Sequence, residues 1–168
     1  MLKELDLSGC KTMGEISGLT EEFVILELLD LSNSNLTTLK TFPKLPNLRK
    51  IDLNGNRLSK GLEHLKDCTN LKHIIINGNR FRDLEVLEPL KSLEHLTHLE
   101  VGLDNFLDSL FTIEERRMKV FETFQGLQYL DTFDIDGNDE DEDDDGLPLS
   151  NGIAKSRESD GDDELELQ

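Results

Sequence analysis

The sequence predicts an α/β solenoid: short parallel strands stack into a curved sheet on the concave side, and 3₁₀ or helical segments return along the convex side. Three observations carry that prediction. Leu48–Leu58, LRKIDLNGNRL, reads L-x-x-I-x-L-x-x-N-x-L, the signature of a leucine-rich repeat. The template recurs at Leu2, Leu5, Leu7 and Cys10, at Leu26, Leu29, Leu31, Ser34 and Leu36, at Leu71, Ile74, Ile76, Asn79 and Phe81, and at Leu96, Leu99, Val101, Asp104 and Phe106. Its polar-turn positions 10, 34, 56, 79 and 104 are separated by 24, 22, 23 and 25 residues, within the period of roughly 20–29 that such repeats use.

Each template position has a steric or polar reason. Leu48, Ile51 and Leu53 point inward from a short strand, while Arg49, Lys50, Asp52 and Asn54 point out. Asn56 stands where the strand turns away, so its amide can pair with backbone groups of neighbouring coils. Leu58 closes the far side. The first coil begins at Leu2 with nothing polar ahead of it to shield its core side, although solenoids need atypical terminal units. Truncation, a covering partner or fraying would each account for that.

Between strands, apolar residues recur every third position: Met13, Ile16 and Leu19; Leu36, Leu39, Phe42 and Leu45; Leu62, Leu65 and Cys68; Leu84, Leu87, Leu90 and Leu93. That spacing suits 3₁₀ turns, whose i and i+3 side chains eclipse. Pro43, Pro46 and Pro89 disfavour longer helices there. Thr112 followed by Glu115 is a capping box, and Ile113, Val120, Phe121 and Phe124 recur at helical spacing with Gly126 as the stop. This predicts an amphipathic helix over 113–124. LQYLD (127–131) is a degenerate sixth unit and reads as a C-terminal cap.

Charge divides the chain. The total is 36 acids against 18 bases, a net of −18; residues 134–168 alone hold 15 acids and 2 bases, a net of −13, leaving −5 on residues 1–133. We therefore expect a repeat domain over 1–133 and a disordered acidic tail over 134–168, because DIDGNDEDEDDDG cannot bury enough apolar surface to fold alone. Such a tail attracts basic proteins and repels nucleic acid. No apolar run approaches a membrane span, and no signal peptide precedes the first repeat, so a soluble nuclear or cytosolic protein is expected. Cys10 and Cys68 read as reduced core thiols.

Stacked in register, the repeats present three outward columns. The central one is Asp6, Asp30, Asp52, Ile75 and Glu100, flanked by Glu4, Leu28, Lys50, His73 and His98 on one side and by Ser8, Ser32, Asn54, Asn77 and Gly102 on the other. Concave solenoid faces are the usual binding surfaces, so the acidic column with Lys50, His73 and His98 is the candidate dock for a basic peptide or helix. The acids Asp139, Glu140, Asp141, Glu142, Asp143, Asp144 and Asp145 would add long-range attraction. Ser156 and Ser159 lie among acids that suit acid-directed kinases.

Other chemistry is less well supported. His73 and His98 adjoin in one column, but no Cys or acid of that column completes a metal set, and a plain histidine ladder is expected. Asp134, Asp136 and Asn138 imitate the opening of a calcium loop, yet Asp139 stands where glycine is required and no Glu closes it. We expect no cofactor and no metal. The chain has neither a phosphate-binding glycine loop nor a nucleophile elbow, so no enzymatic role is expected, and its scattered basic residues do not support nucleic-acid recognition.

GLTEEF (18–23), LPNLRKIDLNGNRLSKGLEHL (45–65), NLKHIIINGNRFRDLEVLEPLKSLEHL (70–96) and VFETFQGLQYLD (120–131), followed by acid, resemble the acidic leucine-rich nuclear phosphoprotein 32 family. Their order and spacing cover nearly all of residues 2–131. The resemblance implies a nuclear or shuttling chaperone-like protein that binds histones, restrains histone acetylation, inhibits a serine/threonine phosphatase and is linked to apoptosis and transcript export. Phosphatase inhibition, or a plain intracellular leucine-rich adaptor whose tail serves solubility, stand as alternatives to histone binding.

Overall fold

The computed structural model describes residues 1–106 and 111–140. Six short strands, β1 (Glu4–Asp6), β2 (Leu28–Asp30), β3 (Lys50–Asp52), β4 (His73–Ile75), β5 (His98–Glu100) and β6 (Tyr129–Leu130), form one parallel sheet in chain order. Consecutive coils are neighbours, so each repeat supplies one rung and buries its leucines against the next. Leu26, Leu29, Leu31, Leu48, Ile51, Leu53, Leu71, Ile74 and Ile76 are all buried.

The polar-turn residues connect the coils as the template requires. Asn56 Oδ1 accepts from the Ser34 and Leu36 N–H groups at 3.0 and 2.9 Å, and its Nδ2 donates to the Leu31 and Leu53 carbonyls at 2.9 Å. Asn79 repeats the arrangement one rung on, accepting from Leu58 N and donating to Leu53 and Ile76 carbonyls. Ser34 manages a shorter version through its hydroxyl, which donates to Leu7 O at 3.0 Å.

Asp104 does not follow. It sits exposed in a 3₁₀ turn at Leu103–Asn105, where its carboxylate accepts from the side-chain amide of its neighbour Asn105 at 3.3 Å. A carboxylate has no N–H to give a carbonyl, so it cannot take the amide's place. Asp131 serves that coil instead, its two oxygens accepting from the Val101, Gly102 and Leu103 N–H groups at 2.7–2.9 Å.

On the convex side, 3₁₀ helices form at Leu62–Leu65 and Leu84–Ser92 and pack on each other. The earlier rows, 13–19 and 36–45, return as turns without a helix. Helix α1 (Ile113–Thr123) starts with the expected capping box between Thr112 and Glu115 and packs on the last two 3₁₀ segments. It buries Val120, Phe121 and, at its C-terminal cap, Phe124. Ile113, expected in the core, is exposed; the inward position one turn along is taken by Arg116, whose Nη1 donates to the Leu103 carbonyl at 3.0 Å. Gly126 is not left-handed, and the helix closes on Phe124 without it.

The terminal coils depart most from expectation. Cys10 is exposed, not a core thiol, and Met13 and Leu2 are exposed as well, because the described chain has no coil on their outer side. Cys68 is buried, and that burial pushes its thiol pKa up. At the other end, order does not stop at residue 133. Phe133 pairs with Asp139 in an antiparallel bridge, and Glu140 N donates to Thr132 O at 2.8 Å. Seven residues assigned to the tail from composition, 134–140, therefore belong to the described cap, folded by local turn chemistry rather than by burial.

Candidate functional site

The strand register builds the concave columns. Cα partners run Glu4, Leu28, Lys50, His73, His98 and Tyr129 in one column, and Asp6, Asp30, Asp52, Ile75 and Glu100 in the central one. Neighbouring parallel strands lie about 4.8 Å apart, so three aspartates stand on consecutive rungs.

Those aspartates share a bond that sequence reading missed. Asp6 Oδ1 accepts from Ser8 N, Asp30 Oδ1 from Ser32 N and Asp52 Oδ1 from Asn54 N, each at 2.8 Å. Each closes an Asx turn that bends the chain out of its strand, which ties one oxygen of every carboxylate to the fold. The Ser8 hydroxyl and N–H hold the Asp6 carboxyl below the usual aspartate range. Exposure falls along the column: Asp6 is exposed, Asp30 half-buried, Asp52 buried. Ile75 interrupts the column on the fourth rung and is itself buried.

Directly after each turn the backbone is left-handed. Gly55 has φ +71° and Gly78 φ +68°, and a Cβ on Gly55 would stand 2.1 Å from Asn33 Oδ1. Gly55, in the first N-G-N-R stretch, thus serves the turn that Asp52 closes, whereas Gly78, in the second, follows Ile75 on a rung without an aspartate.

The flanking column becomes an aromatic ladder at its C-terminal end. The His73 and His98 rings are centred 5.2 Å apart, and His98 stacks on Tyr129 at 5.0 Å. Acids do meet these histidines, contrary to the expectation from their own column. His73 Nε2 lies 2.9 Å from Glu100 Oε1, and His98 Nε2 lies 2.9 Å from Glu140 Oε1. Glu100 comes from the central column and Glu140 from the cap. Both histidines and Lys50 are buried. Each histidine pairs with one acid, and no cluster of three or more potential metal ligands occurs among the described residues.

A further network lies just before the strands. Glu27 bridges Lys3 at 2.8 Å and Arg49 at 3.6 Å, one rung to either side. The Lys3 ammonium, helped by Arg49, holds the Glu27 carboxyl below its usual range. Opposite charges at the same repeat position were the available sequence signal.

Of the acids expected in the tail, Asp139 is exposed and Glu140 is tied to His98. Asp141, Glu142, Asp143, Asp144, Asp145, Ser156 and Ser159 lie outside the described residues. The calcium-like triplet is a closed turn. Asp134 Oδ1 accepts from Asp136 N and Asn138 N at 2.9 and 2.8 Å, and Oδ2 accepts from Asn138 Nδ2 at 3.0 Å. Those bonds, Asn138's side chain foremost, hold the Asp134 carboxyl below the usual range. The Asp134 carbonyl also accepts from Arg117, whose guanidinium lies over the Phe121 and Phe133 rings. No described helix is long and apolar enough to cross a membrane.

Comparison with known proteins agrees with this architecture. A family model described as leucine-rich repeat matches residues 2–152. Acidic leucine-rich nuclear phosphoprotein 32 family member A of Drosophila melanogaster is 42% identical over 145 residues, covering 86% of this chain and 53% of the relative. Its counterpart in Drosophila pseudoobscura pseudoobscura is also 42% identical, over 139 residues, with 83% and 50% covered. The chain thus spans about half the length of these curated relatives. Among solved structures, a crystal structure of the Drosophila melanogaster SNF/U2A' complex matches with TM-score 0.59 at 29% identity, covering 79% of this chain and 74% of that one. An internalin from Listeria monocytogenes matches in fold, with TM-score 0.52 at 17% identity over 77% of this chain and 47% of that one. The chain belongs to the leucine-rich repeat family, and its repeat body is similar to that of the acidic leucine-rich nuclear phosphoprotein 32 proteins.

Proposed function

We propose that this protein is a non-catalytic binding protein for basic partners, chiefly histones, acting in the nucleus. The observation that carries the reading is the central column. Asp6, Asp30 and Asp52 stand on consecutive rungs of the concave sheet face, exposed, half-buried and buried in turn, with one oxygen of each held by the fold. Carboxylates oriented in this way are preorganised for a cationic segment crossing the strands, and holding them costs no ordering on binding. The acidic residues beyond the cap supply longer-range attraction. The names of the similar Drosophila proteins carry the nuclear assignment.

The experiment is equilibrium binding of core histones to the full chain and to two double variants at matched salt. Asp30→Asn with Asp52→Asn keeps the turn acceptors and removes two charges. Glu63→Gln with Glu85→Gln removes two charges from exposed convex positions. Selective weakening by the first pair supports the concave dock; equal weakening leaves only net charge. Phosphatase inhibition is a second reading carried by the family resemblance, and a phosphatase assay with the same variants tests it.

A further inference from the structure

We propose that the C-terminal end of the solenoid carries a second docking site, an apolar groove with an acidic rim that takes a basic protein segment bearing apolar anchor residues. The groove holds about 530 Å³ between the 3₁₀ turn at Leu103–Asn105, the start of α1 and the cap that follows β6. Leu103 and Leu130 line it and are buried. Ile113, Phe133 and Ile135 line it too, yet stay 52%, 37% and 55% exposed. A single exposed apolar residue needs no explanation. Three that converge on one concavity with a polar rim mark an interaction site.

The local fold does not need these side chains for packing. Ile113 opens α1, where the capping box of Thr112 and Glu115 secures the helix end, and the inward position one turn along belongs to Arg116. Phe133 and Ile135 alternate with Asp134 and Asp136, and it is the Asp134 carboxylate that closes the turn.

The walls are held in place before any partner arrives. Arg116 Nη1 donates to Leu103 O at 3.0 Å, and Asp131 Oδ2 accepts from Leu103 N at 2.9 Å. Leu130 and Phe133 exchange both backbone bonds, at 2.8 and 3.0 Å. A preformed groove spends little ordering on binding.

Charge at the rim selects the occupant. Asp104, Glu114 and Asp136 line the groove and are exposed. Asp131 is engaged inward by the Val101, Gly102 and Leu103 N–H groups. The cation of the lining, Arg117, is also engaged within the fold: it donates to the Asp134 carbonyl and lies over the Phe121 and Phe133 rings. The rim therefore presents negative charge. Lysine or arginine beside an apolar anchor complements it, whereas nucleic acid, an anionic membrane or a second copy of this chain, with its net charge of −18, is repelled. The inference rests on the basic-partner reading for the nature of the natural partner. It adds to that reading an apolar anchor point that shares no residue with the Asp6, Asp30 and Asp52 column.

The test uses the full chain, isotope-labelled for NMR, and three synthetic peptides capped at both ends. The first carries two leucines with two lysines on either side. The second has serines in place of the leucines, and the third has glutamates in place of the lysines. The first should shift the signals of Ile113, Phe133 and Ile135 saturably, and the other two should bind there about tenfold more weakly or worse. Ile113→Ser with Ile135→Ser should weaken the first peptide about tenfold at an unchanged thermal midpoint, because both side chains are exposed. Glu114→Gln with Asp136→Asn should weaken it less and flatten its salt dependence. Equal binding of the serine peptide would reduce the site to charge, and equal binding of the glutamate peptide would remove the charge preference; either overturns the proposal. Shifts at the same residues on concentrating the chain alone would name a second copy as the occupant and overturn it too. If the concave dock fails, Asp30→Asn with Asp52→Asn leaves histone binding unchanged while the peptide shifts at Ile113 and Ile135 persist, so the two readings fail separately.

Discussion

Asp52 holds the backbone N–H of Asn54 at 2.8 Å, the third rung of a contact that Asp6 makes to Ser8 and Asp30 to Ser32. The acids that face a partner are therefore also the residues that close the strands. Binding and stability are coupled at these positions, and the choice of substitution decides which is measured. Asp30→Asn with Asp52→Asn should leave the thermal midpoint nearly unchanged while weakening histone binding. Lysine at both positions removes two turn acceptors, at about 0.5–1.5 kcal/mol each, so it should lower the midpoint as well as the affinity. Thermal melts of the two double variants, run beside the binding assay, check this; equal midpoints would mean that the turns carry no stability.

Asn56 should be the most sensitive polar position in the body. Alanine there leaves the Ser34 and Leu36 N–H groups and the Leu31 and Leu53 carbonyls without their partner. At about 1–3 kcal/mol for each buried group left unmet, the loss should be about 3 kcal/mol or more, out of the roughly 5–15 kcal/mol typical of a domain. Asn56→Asp should fall between, because it keeps the acceptor and loses both donors. Urea unfolding of the two variants gives the order directly.

Truncation should depend sharply on where the cut falls. Residues 141–168 hold 11 acids and 2 bases, a net of −9. Ending the chain after Glu140 should flatten the salt dependence of histone association, since those charges act over about 8 Å at physiological ionic strength, and should leave the fold intact. Ending it after Phe133 also removes the Asp134 turn and the Phe133–Asp139 bridge, and should lower the thermal midpoint. Identical midpoints for the two truncations would show that residues 134–140 add nothing to the cap.

The Asp134 turn should respond to acid in a defined direction. Its carboxyl is held below the ordinary value by Asn138 and the neighbouring N–H groups. The turn's contribution is therefore fully present above the ordinary aspartate pKa of about 4 and is lost as pH falls through the depressed folded value. The Asn138 and Asp136 amide shifts should titrate together in that acid window. Asp134→Asn keeps an acceptor and should abolish the titration; a persisting transition in that variant would assign it to another carboxyl.

Much of this molecule was legible in the sequence because a solenoid repeats one local contact. The spacing of Leu, Ile and Asn that builds one rung also sets its register on the next, so both concave columns and the Asn56 and Asn79 bridges followed from the template alone. The capping box of Thr112 and Glu115 was equally local. What only the tertiary structure decided lies where periodicity stops. Cys10 and Met13 occupy core positions of the template but are exposed, since burial there needs a neighbouring coil. Asp131 took over the backbone N–H groups of a coil whose own Asp104 lacks the donors an amide supplies. Glu140 read as one acid in a charged run, yet it pairs with His98, a residue 42 positions earlier in the chain. Composition cannot anticipate such a contact, because it depends on the turn at Asp134 and the bridge at Phe133 steering the chain back over the sheet.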